Sequence, residues 1–316
     1  MLLKQIMEMY EQVDRSDANG ENVKQVLESY GATDVKIKKI VGPRGSTDFI
    51  KIRIAGKNGK TSGGSSPTLG VLGRLGGLGA RPAAIGFVSD GDGALIALAV
   101  AQKILEMKKC GDQLDGDVII ATHICPDAPT QPHEPVPFMG SPVEMSTVNQ
   151  EEVNGELDAV LSIDTTKGNR VINTRGFAIS PTVKEGYILK VSDDLLDIMQ
   201  IVSGKLPYVF PITTQDITPY GNSLYHLNSI LQPSTATSAP VVGVAITSEI
   251  PVPGCATGAS HFSDMEMAGR FVIEVAKSFG RGQCKFFDEV EYGRIIGRYG
   301  SMQHIQTMGI DSEDAC

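Results

Sequence analysis

The chain has 316 residues, 28 Lys plus Arg against 37 Asp plus Glu, a formal charge of −9, and 41% apolar with 21% charged content. Wholesale disorder, a coiled coil and a collagen-like chain are excluded, and the length allows one large domain or two ordinary ones. The longest apolar stretch, Ala94 to Ala101, is too short to span a bilayer, and an acidic chain without basic clusters makes nucleic acid a poor partner.

Leu2 to Val13 and Glu21 to Tyr30 carry apolar residues at helical spacing, with Asn19-Gly20 as the break. No secretory apolar region precedes them. Five cysteines without a pairing pattern (Cys110, Cys125, Cys255, Cys284, Cys316) fit a reducing cytoplasm. Val35 to Ile40 and Phe49 to Ile54 alternate like antiparallel strands with one wet face, and Lys57 to Pro67 reads as a loop. Leu69 to Leu72 is a short strand entering GRLGGLG, and Ala83 to Val88 is expected as another, ending at Ser89-Asp90. A mostly apolar helix follows over Gly91 to Lys109.

Val118 to Ala121 and Ala159 to Ile163 are strand-length apolar runs, the first leading into CPDAPTQPHEPVP and the second into Asp164-Thr165-Thr166. Asp193 to Ser203 and Met265 to Phe279 read as helices and Val241 to Ile246 as a buried strand. Strands alternating with helices describe an α/β protein, a mixed central sheet with helices on both faces, with functional groups at the carboxyl ends of the strands.

Three of those ends carry an aspartate: Asp90, Asp127 and Asp164, while His261 sits in a Gly-rich loop before the last helix. Carboxylate oxygen and imidazole nitrogen are ordinary ligands of zinc or manganese, although a strand-end aspartate also serves as a helix cap. Asp90-Gly91-Asp92-Gly93 is not a calcium loop, because Ala94 stands at the fifth position and no glutamate at the twelfth. GRLGGLG lacks the spacing of a dinucleotide or phosphate loop. His123, His133 and Glu134 flank the Pro-rich loop, and His123 and Glu134 are the candidates for proton transfer. Cys125 and Cys255 also lie in candidate site loops, which raises a thiol mechanism as a distant option, while His226 and His304 have no visible partner.

In this order the segments SPTLGVLGRLGGLG, SDGDGALIALAVAQKIL, DVIIATHICPD, LSIDTT and PVPGCATGASHFSDMEMA resemble the di-zinc aminopeptidases of the glutamyl and deblocking type, to about Phe279. The resemblance implies a single α/β peptidase-like domain over residues 1–279, a C-terminal extension over 280–316, and metal ligands at Asp90, Asp127, Asp164 and His261. It also implies departures. Arg74 stands where the family has its first histidine ligand, Gly76 where it has an aspartate, and Pro126 where it has the general-base glutamate. The family's inserted lid is missing, because only Ala80 to Ser89 separates two of the motifs.

A guanidinium does not ligate a metal, so Arg74 is expected to replace the first ion, pairing with Asp164 and Asp90, stabilising an oxyanion or holding a substrate anion. Two functions follow as expectations. One is a hydrolase of a small amide or peptide-like compound using one zinc or manganese ion; the other is a pseudoenzyme that binds a small metabolite on the same scaffold. Self-association into a homo-oligomer is a further expectation.

Overall fold

The computed structural model describes residues 1–74, 77–211, 228–252 and 254–305. Gly76, His226 and Cys316, which figure in the sequence reading, lie outside them. The chain opens with α1 (Leu3–Val13) and α2 (Gly20–Ser29), then the hairpin β1 (Asp34–Gly42) and β2 (Gly45–Ile54), β3 (Leu69–Gly73), α3 (Asp92–Lys109) and β4 (Val118–Ile124). The short hairpin β5 (Thr130–Gln131) and β6 (Phe138–Met139), α4 (Met145–Glu152), β7 (Ala159–Thr165) and β8 (Gly176–Ile179) follow. The rest is β9 (Val183–Lys184), β10 (Tyr187–Ile188), α5 (Asp193–Ser203), a 3-10 segment at Ser229–Thr235, β11 (Val241–Thr247), α6 (Phe262–Gly280) and α7 (Glu289–Tyr299).

Among the described residues one nine-stranded sheet runs β1-β2-β4-β3-β7-β11-β9-β10, with β8 also on β11. Its centre, β4-β3-β7-β11, is parallel, so these strands share one carboxyl end. The β1–β2 hairpin is antiparallel to β4 and closes one side.

Period-two alternation splits the core between the two faces of the sheet. Val118 and Ile120, Leu161 and Ile163, and Val242 and Val244 pack against α3 and α6, on which α1 and α5 pack in turn. Ile119 and Ala121, Val160, and Val241 and Ala245 point the other way, toward Phe210, Ile230 and Leu231. Helices therefore cover both faces, as the sequence predicts, with α4 and the 3-10 segment on the second face. α1 contributes Leu2, Ile6, Met9 and Val13, a helical stripe. α3 is buried on almost every side, hence its alanines. Cys284 and Phe286, beyond α6, belong to the first-face core.

The expected strand at Ala83 to Val88 is not one. Pro82 breaks the segment, Gly86 takes a left-handed φ of 82°, and only Phe87 bridges to Gly79 before a 3-10 turn at Ser89–Gly91. Among the described residues nothing is inserted between β3 and α3 beyond these turns. No helix is long and apolar enough to cross a membrane.

α3 reaches the sheet end because its second residue is glycine. A Cβ on Gly93 would lie 2.5 Å from the Ile163 carbonyl oxygen and 3.2 Å from the Arg74 amide nitrogen. Gly93→Ala is expected to cost about 1–3 kcal/mol through forced backbone displacement, read as a fall of several degrees in Tm; an unchanged Tm contradicts this placement.

Candidate functional site

The shared carboxyl end of β4, β3, β7 and β11 is where an open α/β sheet presents its chemistry. Arg74 follows β3 directly, and its amide donates to the Ile163 carbonyl at 2.8 Å. The alternation that turns Leu72 to the second face sends Arg74 there too, where it is wholly buried. Its guanidinium makes a buried ion pair with Glu152 at the end of α4, and Nη2 donates to the Ser229 carbonyl at 3.2 Å. The expected pairing of Arg74 with Asp164 and Asp90 is thus corrected. α4 supplies the counter-charge, and the buried fork is not presented to a substrate.

His123 is also corrected. It lies on the second face of β4, is buried, shares a hydrogen bond between Nδ1 and the Thr47 hydroxyl at 2.9 Å, and stacks on Phe49. Burial, with the Arg74 charge adding to it, pushes its pKa down to about 3. It is a neutral core histidine, closed off from any proton of a bound substrate. Several polar atoms of this face have no protein partner: Arg74 Nε, His123 Nε2, Glu152 Oε1, Ser162 Oγ and both amide atoms of Asn149 and Gln232. Glu134, the other expected proton-transfer group, is exposed between β5 and β6, next to His133.

The expected metal ligands fall in different surroundings. Asp90, in the turn before α3, is buried, and its amide donates to the Gly254 carbonyl at 3.1 Å. A Cβ on Gly254 would meet the Asp90 carboxylate at 1.9 Å, so the closing loop lies directly on it. Asp164 is buried on β7, accepting from the Thr165 amide at 2.6 Å and the Ser229 hydroxyl at 3.4 Å. Asp127 is exposed and accepts from the Cys125 thiol at 3.4 Å. His261 is partly exposed at the N-cap of α6, its carbonyl accepting from the Asp264 and Met265 amides. Among the described residues, no three His, Cys, Asp or Glu side chains are disposed to hold a metal ion. The described donors by themselves do not make up the expected zinc or manganese site.

Cys125 and Cys255 share a small apolar cluster with Ala80, Val88, Ala128 and Met139. Burial pushes the Cys125 thiol up to about 12 and the Cys255 thiol up to about 11, Asp90 adding to the latter. Both are held in the protonated, weakly nucleophilic form, which removes the thiol option as the site stands.

The structure instead gathers groups that the sequence reading passed over. Asp92, the first residue of α3, is completely buried. Its carboxylate accepts from the Ser260 hydroxyl at 2.6 Å through Oδ1 and from Lys167 Nζ at 3.3 Å through Oδ2. Lys167, three residues beyond Asp164, is nearly buried and donates also to the Ala259 carbonyl at 3.0 Å. Burial pushes the Asp92 carboxyl up to about 6, against the pull of Lys167 and Ser260 and with Asp264 adding to the push. Asp264 is bound in turn by Arg175 at 3.2 Å. Thr165 ties the same edge together, its hydroxyl donating to the Ser89 carbonyl at 2.8 Å. Lys167 lies just past the strand-end Asp164 and Ser260 beside His261, but no local sequence pattern ties either to Asp92.

The model of the family described as "Protein of unknown function (DUF1177)" matches residues 38–309. The chain belongs to this family. The DUF1177 match takes in every strand-end residue described above. No curated protein matches in sequence. Among solved structures, the fold of this DUF1177 chain is similar to that of the bottromycin maturation enzyme BotP. The identity is 14% and the TM-score 0.53, over 89% of this chain and 70% of that one. BotP in complex with Mn gives 13%, a TM-score of 0.52, and 89% and 71% coverage. A Legionella LapA structure gives 13% and 0.49 over 87% and 72%, too low a score to carry weight. At these identities the likeness establishes the metallopeptidase-like α/β fold, and it establishes nothing about the residues of the site.

The burial of His123 sets a pH dependence. Its folded pKa is depressed below the ordinary histidine value, so the unfolded chain binds the extra proton first. The stability tied to a neutral His123 is fully present above about pH 6.5 and is lost as pH falls toward 3. Between pH 7 and 4.5 the loss amounts to roughly 2–3 kcal/mol. Denaturant melts should show His123→Phe losing less stability than the native chain across this interval; parallel losses would contradict the buried neutral imidazole.

Proposed function

We propose that this protein is a hydrolase of a small amide or peptide-like compound, working at the carboxyl edge of the parallel strands with its own side chains. The observation that carries the reading is the convergence there of α3, the turn after β7 and the loop before α6. They bring together a buried carboxylate, an ammonium group and the hydroxyl of a partly exposed serine. Groups of this kind, in mutual hydrogen-bond reach and at this edge, are the parts of an acyl-transfer site.

The fold's likeness to BotP, which has been solved in complex with Mn, makes manganese the ion to test. In this chain Arg74 stands where the resemblance implies a metal ligand and is bound to Glu152. Among the described residues no three donors are disposed to hold an ion, and the proposed chemistry uses none. The Arg74 replacement, together with Pro126 where the resemblance implies a general-base glutamate, favours the second reading, a small-metabolite-binding protein on a degenerate peptidase scaffold.

The test offers the purified full-length protein dipeptides, N-acyl amino acids and small cyclic amides, followed by mass spectrometry with and without a chelator or added Mn. Turnover of at least one class that is indifferent to chelation is expected. Turnover abolished by chelation and restored by Mn would overturn the metal-free reading. A ligand that raises Tm without being consumed would favour the binding protein; at 100 times its dissociation constant it adds about 2.7 kcal/mol.

A further inference from the structure

Resting on the hydrolase reading, we propose that Ser260 is the nucleophile of an acyl-transfer site, with Asp92 as its proton acceptor and Lys167 as a positioning residue. A serine hydroxyl attacks a carbonyl only when a base in hydrogen-bond reach takes its proton, and the base must itself be held in place. Ser260 Oγ donates to Asp92 Oδ1 at 2.6 Å. The second carboxylate oxygen is fixed by Lys167 Nζ at 3.3 Å, and the ammonium is anchored independently on the Ala259 carbonyl at 3.0 Å. Lys167 and Ser260 lie 75 and 168 positions from Asp92 in sequence. No local turn or helix cap brings them together.

Accessibility is graded in the direction that the chemistry needs. Asp92 is completely buried and Lys167 nearly so, while Ser260 is partly exposed. The base is therefore the more deeply buried member of the pair. The charge balance also favours the reaction. Asp92 and Lys167 neutralise each other at rest; once the proton has moved to Asp92, the Lys167 charge is uncompensated as negative charge develops on the substrate oxygen. The Asp264 and Met265 amides of α6 are spent on the His261 carbonyl. The His261, Phe262 and Ser263 amides, which follow the nucleophile and lead into the helix, are backbone donors close in sequence for that oxygen.

Ser260 Oγ forms a bond to the acyl carbon of the amide and its proton passes to Asp92. The carbon–nitrogen bond then breaks and the proton returns to the departing amine. A water molecule attacks the resulting ester with Asp92 again taking a proton, and Ser260 is regenerated with release of the acid.

The experiment treats the full-length protein with a fluorophosphonate and locates the adduct by intact and peptide mass, alongside turnover of the best substrate of the panel. One adduct per chain on Ser260 is expected, absent in Ser260→Ala together with turnover. Asp92→Asn should slow labelling at least about 100-fold. Lys167→Met should slow it as well, with partial recovery in Lys167→Arg, a rescue that a merely structural lysine would not produce. If Ser260→Ala fails to fold, Ser260→Cys retains the side-chain size, and selective alkylation at position 260 decides the point. Turnover that persists in Ser260→Ala, with no adduct at Ser260, overturns the serine and leaves the hydrolase reading standing. Absence of both adduct and turnover in the native protein overturns both.

Discussion

Asp92 is completely buried in the first turn of α3, and the Lys167 ammonium is what makes a carboxylate tolerable there. An isolated buried carboxylate gives up its charge, whereas one that is paired and hydrogen-bonded can keep it. The pair does more than offset a desolvation cost. It ties the start of α3 to the turn after β7, and through Ser260 and Ala259 to the loop before α6. Gly93 beside it lets α3 close onto the Ile163 carbonyl, and Gly254 lets the closing loop lie on Asp90. The edge of the sheet is therefore shaped around a carboxylate whose partners are an ammonium and a hydroxyl of the same chain.

Arg74 and Glu152 repeat this arrangement on the second face. A guanidinium stands at a position where the resemblance implies a histidine ligand, and a carboxylate from α4 meets it. Both ends of the site thus balance charge internally. A scaffold that other proteins use with metal ions carries, in this chain, two intramolecular cations at its strand ends. The unmatched polar atoms around Arg74, His123, Asn149 and Gln232 mark the second face as unusually polar for the interior of a sheet protein.

The parallel strands, α1, α2, α3, α5 and α6 were legible because each carries its own period of apolar residues and its own punctuation. Asn19, for instance, caps α2 through its side chain, and the five-residue β3 still reads as a continuous apolar run. α4 was not legible: Met145 to Glu152 is short and polar, and its role rests on Glu152 meeting an arginine 78 residues away. Ala83 to Val88 misled in the opposite direction, since apolar content outweighed the Pro82 and Gly86 signals. For the site, sequence located the edge through Asp90, Asp164 and His261, but not the groups that meet there. Asp92 was visible only as part of a failed calcium loop. Lys167 and Ser260 acquire meaning only from a carboxylate 75 and 168 positions away, a contact that no local pattern encodes.

The central claim is that the buried carboxylates Asp92 and Glu152 are balanced by Lys167 and Arg74 of the same chain and need no bound ion. Metal content by mass spectrometry, on full-length protein equilibrated with Mn and Zn and then dialysed, tests it most directly. The account predicts far less than one ion per chain, unchanged in Asp90→Asn and His261→Ala. A stoichiometric ion that is lost in either variant would contradict it.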